Sequence, residues 1–258
     1  MPRHCPTIAK QKMTSGVSSE IRQQLEKNLS RVRERIEAAA RRAGRSPHEI
    51  TLVAVTKYVV PEVIPALLEA GCQTLGESRP QELWRKAEFA RHLPIRWHLV
   101  GPLQRNKAKK TVPLVELIHS VDSIALLETL ETLGKNLGRK VPVLLEVNIS
   151  GESAKHGFSP EEMPEVLLEL NRFSHVEVQG LMGMAGLQGG LEAARRQFAF
   201  LRELRDQLQK SAPQGVELRE LSMGMSGDFE VAIEEGATMI RLGSILFEGL
   251  PPECLRQG

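Results

Sequence analysis

Thr51-Leu52-Val53-Ala54-Val55-Thr56-Lys57-Tyr58 is the stretch that decides the fold of this chain. Its first six residues are mainly apolar or β-branched, which is typical of a short and fully buried β-strand. Pro61 follows soon afterwards, and a proline at this distance commonly opens a helix. Lys57 is therefore predicted at the carboxyl end of a buried strand, before a βα loop, where α/β folds place their chemical groups.

The amine of Lys57 is the first candidate functional group. Its stem leaves an apolar strand, so we expect the amine to be partly desolvated, and desolvation favours the neutral form. A neutral amine is a nucleophile that forms a Schiff base with an aldehyde. The alternative is a surface lysine that happens to follow a strand, and this stretch alone favours that alternative because lysines are mostly exposed.

The composition of the 258 residues limits the classes of function. A net charge of +2 and an aromatic content of 4% give no case for nucleic acid or a membrane as partner. The three cysteines, Cys5, Cys72 and Cys254, are odd in number and far apart, so neither a disulfide framework nor a metal site is predicted. We expect a reducing, cytoplasmic location.

The chain divides into one domain with short flanks. Residues 1–19 contain no acidic residue and are predicted to be a flexible N-terminal extension. A transit peptide and a misjudged start before Met13 are the alternatives. An amphipathic helix is predicted over 20–42. Residues 20–250 are predicted to form the domain, and residues 251–258 a C-terminal tail.

Strand-like and helix-like segments alternate through this domain. The predicted strands are 51–56, 73–76, 96–100, 117–121, 143–149, 176–182, 218–223 and 239–242. The predicted helices between them are 61–70, 80–91, 106–110, 124–137, 160–171, 191–209 and 227–235. Such alternation favours parallel strands with crossover helices, and eight strands match a single (β/α)₈ TIM barrel. A doubly wound open sheet is the alternative fold.

Small and polar residues follow the carboxyl ends of these strands, which share one rim in a barrel. Two of these loops, at 223–228 and 241–244, have the composition of a phosphate site. The predicted phosphate-binding residues are Ser226, Gly243 and Ser244. A lysine and a phosphate site on one rim suggest pyridoxal phosphate (PLP). Arg241 would then lie near the ring nitrogen, where a permanent cation disfavours a protonated ring; a salt bridge at the rim is its alternative role.

His98 and the basic run 103–110 form a second candidate group. Together they could bind an anion. The favoured alternative is a solvated helix face.

A set of short motifs resembles the pyridoxal phosphate homeostasis proteins, whose fold is the alanine racemase N-terminal barrel. The motifs are Ala54-Val-Thr-Lys57, Gly76-Glu77, His98-Leu-Val-Gly101 with Leu103-Gln104 and Asn106-Lys107, Asn148 with Glu152, Lys155 and Gly157, Gly180-Leu-Met-Gly-Met184, Leu221-Ser-Met-Gly-Met-Ser226 with Asp228, and Arg241-Leu-Gly-Ser244. They run from about residue 20 to 250 in the family's order.

The resemblance implies a fold-type III PLP protein that binds the cofactor as an aldimine on Lys57. It implies that Ser226, Gly243 and Ser244 hold the phosphate, that Arg241 faces the ring nitrogen and that Asn148 lies near the ring. The family is largely monomeric or weakly associating, and it has no well-established catalytic activity. It is thought to buffer PLP or deliver it to PLP-dependent apoenzymes, and a regulatory protein is a further possible partner.

Three positions depart from the family pattern. Ser78 stands where the family usually has asparagine, and we expect its shorter side chain to lose a hydrogen bond near the cofactor. Pro102 alters the loop after the third strand. Glu248 interrupts a Phe-Gly pair, so the final turn is not specified by the resemblance.

A PLP-dependent amino-acid racemase is the alternative function. A two-base racemase needs a second proton donor on the opposite face of the ring. Alanine racemases supply a tyrosine for this role from a second domain. The only tyrosine here is Tyr58, beside Lys57, and no second domain is expected. These features favour a carrier over an enzyme.

Overall fold

Eight parallel strands close into a barrel in the described part of the chain, which comprises residues 15–152, 156–186 and 188–255 of a computed structural model. The strands are β1 (Thr51–Val55), β2 (Thr74–Glu77), β3 (Arg96–Leu99), β4 (Leu117–Val121), β5 (Val141–Val147), β6 (Val176–Gly183), β7 (Glu220–Ser222) and β8 (Met239–Leu242). Each strand pairs with its neighbours in the sequence, and β1 pairs with β8. The predicted barrel is confirmed, because an open sheet would leave two strand edges unpaired.

Eight α-helices accompany the strands within the same described residues. They are α1 (Ser15–Arg42), α2 (Ile64–Glu69), α3 (Pro80–Phe89), α4 (Arg105–Thr111), α5 (Ile124–Leu137), α6 (Met163–Glu169), α7 (Gly190–Lys210) and α8 (Phe229–Glu234). Helices α2 and α6 begin later than predicted. Pro65 and Pro164 explain these starts, because a proline lacks the N–H group and is tolerated only in the first turn. No helix in these residues is long and apolar enough to cross a membrane.

Helix α1 carries the apolar stripe that the sequence predicts. All five stripe residues are buried: Ile21, Leu25, Leu29, Val32 and Ile36. The helix begins at Ser15, five residues before the predicted start, and residues 1–14 lie outside the described residues. Burial of this stripe against α2 and α8 joins the helix to the barrel.

The segment after β8 is fastened to the body of the protein. The Asn28 amide donates to the Glu248 carbonyl oxygen at 2.8 Å, so the turn that departs from the family pattern is held by α1. Leu255 forms an isolated β-bridge with Val59. The described part of the predicted tail 251–258 therefore lies beside the loop that follows β1.

Two layers of side chains fill the upper half of the barrel. The lower layer is an apolar cluster formed by Leu117, Leu144, Met182 and Met239, with Met184 packed against it. Residues two positions apart share a face of a strand. The next layer towards the carboxyl ends therefore contains His119, Glu146, Met184 and Arg241. The barrel thus changes from apolar to charged just below its upper rim.

Candidate functional site

A cavity of about 430 Å³ opens at the carboxyl end of the strands. Its size is that of an ordinary small-molecule site. Five of the six predicted site residues line it together: Lys57, Ser226, Arg241, Gly243 and Ser244. These residues follow the carboxyl ends of the first and seventh strands or lie at and after the end of the eighth, and they meet at one cavity as the sequence predicts.

Hydrogen-bond donors from the last two loops line one side of this cavity. The Gly243 N–H donates to the Ser226 hydroxyl oxygen at 3.3 Å, which links the two loops. Among the described residues, the N–H groups of Gly227 and Ser244 have no acceptor. A Cβ atom built on Gly227 would meet nothing within 4 Å, so the space beside this residue is open. Free backbone donors beside a hydroxyl are suited to an anion.

The loop before α8 owes its shape to a glycine and an aspartate. Gly224 has a φ of +93°, and a Cβ atom there would lie 2.6 Å from the Cβ atom of Ala232, so only glycine is accommodated. The Asp228 carboxylate accepts the Met225 N–H at 2.6 Å. Burial raises the pKa of Asp228. This side chain shapes the turn and does not cap the helix.

Lys57 lies on the loop after β1, and its side chain is exposed. The prediction of a partly desolvated amine is wrong, because the strand ends at Val55 and the buried position beyond it is taken by Thr56. The Lys57 Nζ atom lies 4.5 Å from the centroid of the Tyr58 ring, a cation–π contact. Its amine is accessible from the cavity that it lines.

A buried ion pair supports the backbone just before Lys57. Lys86 of α3 pairs with Glu77 at the end of β2, and both side chains have 0% exposure. The Lys86 Nζ atom also donates to the Thr56 carbonyl oxygen at 2.5 Å, and the Thr56 hydroxyl donates to Glu77 at 2.8 Å. Sequence reasoning missed this pair. Its signal was a lysine on the buried face of α3, beside Leu83 and Ala87.

Arg241 is buried at the floor of the cavity. Its Nη1 atom donates to the Ser222 hydroxyl at 2.6 Å, and its Nη2 atom donates to the Gly183 carbonyl oxygen at 3.0 Å. No ion pair involves Arg241 in the described residues, so the salt bridge considered as its alternative role is not formed. Burial lowers the pKa of Arg241 to about 10, which leaves the guanidinium charged at neutral pH.

A chain of hydrogen bonds continues from Arg241 through the barrel interior. The Ser222 Oγ atom lies 2.8 Å from His119 Nδ1, and His119 Nε2 lies 2.9 Å from His98 Nδ1. Burial lowers the pKa of His98 to about 4 and that of His119 well below its usual value, so both rings are neutral. The predicted grouping of His98 with the basic run 103–110 is therefore wrong: a neutral ring inside the barrel does not contribute to a basic surface.

Asn148 is not among the described residues that line the cavity. Its amide nitrogen donates to the Glu152 carbonyl oxygen at 2.9 Å, and its amide oxygen accepts the Ser150 hydroxyl at 3.1 Å. The side chain thus closes the turn after β5. Lys155, which belongs to the same motif, lies outside the described residues.

Ser78 and Pro102, two of the departures from the family pattern, both line the cavity. Gly101 lies between them and touches the backbone of Ser78: a Cβ atom on Gly101 would be 2.2 Å from the Ser78 carbonyl oxygen. The loops after β2 and β3 are therefore in close backbone contact at this point of the rim.

Comparison with known proteins identifies the family. The chain matches the family "Alanine racemase, N-terminal domain" over residues 27–251. It is 43% identical over 219 residues to the pyridoxal phosphate homeostasis protein of Aquifex aeolicus, a match that spans 85% of this chain and 95% of that protein. The chain belongs to the pyridoxal phosphate homeostasis protein family. The resemblance seen in the motifs is thereby confirmed.

Solved structures agree with this family and its fold. The structure of PipY of Synechococcus elongatus with PLP bound is 36% identical, has a TM-score of 0.76, and the match covers 86% of this chain and 99% of PipY. Alanine racemase of Clostridium difficile 630 has a TM-score of 0.68 at 18% identity, with 90% of this chain and 57% of the racemase covered. At that identity the racemase shares the fold alone.

Proposed function

We propose that this protein binds pyridoxal 5'-phosphate at Lys57 and buffers or delivers it, without substantial catalysis. The observation that carries the proposal is the meeting of an accessible primary amine and free anion donors in one cavity. The names of its relatives and the PLP bound to PipY support the same ligand. PLP supplies an aldehyde that condenses with a primary amine.

The residues of the cavity fit this ligand. The hydroxyl of Ser226 and the N–H groups of Gly227 and Ser244 would hold the phosphate. A Cβ atom on Gly243 would come no closer than 3.4 Å to other protein atoms, so the packing of the protein does not require a glycine here. The missing side chain would instead leave room for the ligand. Arg241 would direct its guanidinium towards the ring nitrogen. Asn148 would contribute indirectly, by holding the loop after β5.

The arrangement of Lys57 and Tyr58 favours a carrier over a racemase. Both residues lie on the loop after β1, and their side chains touch. A two-base racemase needs its second proton donor on the face of the ring opposite the lysine. Tyr58, the single tyrosine of the chain, is 45% exposed and on the same side as Lys57.

We also propose the setting in which this carrier works. A monomer of residues 20–250, flanked by residues 1–19 and 251–258, would hold one PLP and pass it to PLP-dependent apoenzymes or to a regulatory protein. A reducing cytoplasm suits the free and buried thiols of Cys72 and Cys254.

Borohydride trapping tests the proposed function. The protein is incubated with PLP, reduced with borohydride, digested and analysed by mass spectrometry. We expect a pyridoxyl adduct on Lys57, loss of the adduct in Lys57→Ala, and no loss in the control Lys135→Ala, which changes an exposed lysine of α5. Equal labelling of Lys57→Ala, or no labelling of the wild type, would contradict the proposal. Fast racemisation that depends on Lys57 would favour the enzyme instead.

A further inference from the structure

Glu146 is a buried carboxylate on the wall of the same cavity. It lies on β5, in the layer that also contains Arg241, and its residue is 3% exposed. None of the hydrogen bonds and ion pairs among the described residues uses its carboxylate oxygens. The cavity therefore contains an acceptor that the protein itself leaves open.

The basic side chains around this cavity contact other partners. Lys57 lies over the Tyr58 ring, and Arg241 is bound to neutral oxygens. The His156 Nδ1 atom lies 3.7 Å from a carboxylate oxygen of Asp122. Since none of them reaches Glu146, its charge is not neutralised by a direct contact.

Ionisation of the Glu146 carboxylate is costly at this site, although its oxygen atoms are accessible from the cavity. Burial and the charge of Asp122 both raise the pKa of Glu146, which reflects this cost of ionisation. A cationic N–H donor that entered the cavity would supply the missing partner and form a charge-assisted hydrogen bond. The donors at Ser226, Gly227 and Ser244 would hold an anionic group of the same ligand.

We propose that Glu146 is an ammonium subsite, and that the protein also binds phosphorylated primary amines without a covalent bond. The phosphate would occupy the donors after β7 and β8, and the ammonium group would contact Glu146. The inference rests on the proposed function, because it uses the same phosphate donors. Lys57 has no role in it, since an amine cannot condense with an amine.

Two ligands that differ only in the group of interest provide the test. Pyridoxamine 5'-phosphate carries an ammonium group where pyridoxine 5'-phosphate carries a hydroxyl. Each is titrated by calorimetry into the cofactor-free wild-type protein and into Glu146→Gln. The control variant is Glu165→Gln, which changes an exposed carboxylate of α6.

The expected result is a change in the ratio of the two affinities. Glu146→Gln lowers the affinity for the amine about 10- to 100-fold, the range for a hydrogen bond to a charged group, and changes the affinity for the alcohol less than about 3-fold. Glu165→Gln leaves the ratio at its wild-type value. Retained binding of the alcohol by Glu146→Gln also shows that the phosphate donors are correctly folded.

Two outcomes would overturn the proposal, and they are distinguishable. Equal effects of Glu146→Gln on both ligands, with PLP still trapped on Lys57, would overturn the ammonium subsite alone. Failure of the wild type to bind either ligand or PLP would overturn both the subsite and the proposed function.

Discussion

Replacement of Lys86 by methionine should destabilise the protein far more than its distance from the cavity suggests. In the native protein the Lys86 ammonium contacts Glu77 and the Thr56 carbonyl oxygen, and its side chain has no exposed surface. Lys86→Met keeps much of the apolar volume but removes the charge. Glu77 would then remain as a buried carboxylate with only the Thr56 hydroxyl and the Ser78 N–H as donors.

The expected magnitude follows from the complete burial of both partners. Removal of one member of a buried ion pair costs about 3–5 kcal/mol, because an uncompensated charge is left behind. For a chain of this size, about 1 kcal/mol shifts the Tm by roughly 2–4 °C. Lys86→Met should therefore lower the Tm by roughly 6–20 °C. Because Thr56 directly precedes Lys57, the loop that presents the amine should also lose support, and PLP trapping should decrease.

Thermal unfolding followed by circular dichroism measures this effect. Lys135→Met is the control, because Lys135 is exposed on α5 and its replacement should change stability by no more than about 0.5 kcal/mol. In the double variant Glu77→Leu/Lys86→Met neither charge of this pair remains, so its loss of stability should be smaller than that of Lys86→Met. The reasoning is refuted if Lys86→Met behaves like Lys135→Met, or if the double variant is less stable than Lys86→Met.

Three further predictions concern pH, sterics and thiol reactivity. Since the pKa of His98 falls from 6.5 to about 4 on folding, the unfolded chain binds this proton more tightly. Stability should therefore fall by about 3 kcal/mol as the pH decreases from 6.5 to 4, and urea unfolding of His98→Gln should show a shallower slope. Gly101→Ala would place a Cβ atom 2.2 Å from the Ser78 carbonyl oxygen and should cost about 1–3 kcal/mol, measured by urea unfolding against the exposed control Gly227→Ala, whose Cβ atom would meet nothing within 4 Å. The pKa of the buried Cys72 thiol is raised to about 12, so iodoacetamide at pH 8 should label Cys72 only after unfolding, as peptide mapping would show.

The sequence predicts strand and helix bounds best where the boundary signals are local. Leu117–Val121 and Ile124–Leu137 agree with prediction, and Gly138 ends the second of these with a φ of +63°. Strand β7 is shorter than the predicted 218–223. The Leu218 N–H donates at 2.6 Å to the Gln209 side chain on α7, not to a neighbouring strand. A side chain from another element thus determines where this strand begins.

Some features of the candidate site could likewise be predicted from the sequence, and others could not. Lys57 and Arg241 could be placed together because the strand-end rule for barrels depends only on the order of elements. The role of Asn148 could not, because its amide bonds to a carbonyl four residues later in a turn of irregular shape. The pairing of Lys86 with Glu77 depends on how α3 packs on β2, a property of the tertiary structure. The sequence pattern likewise does not show which ionisable side chains are buried, although the predictions for Lys86 and His98 depend on this burial.

The surroundings of Arg241 bear on the proposal that this barrel holds PLP without substantial catalysis. Its partners, Ser222 and Gly183, are neutral oxygens, so the guanidinium keeps its full charge. Protonation of His119 is disfavoured by burial, with His98 and Arg241 adding to the effect, so the interior gains no second cation. A permanent cation beside the ring nitrogen disfavours its protonation, and an unprotonated ring is a weaker electron sink. Under the proposed function, PLP held on Lys57 would keep an electrophilic imine carbon that another amine could attack with release of Lys57, while proton removal from a bound substrate would receive little assistance.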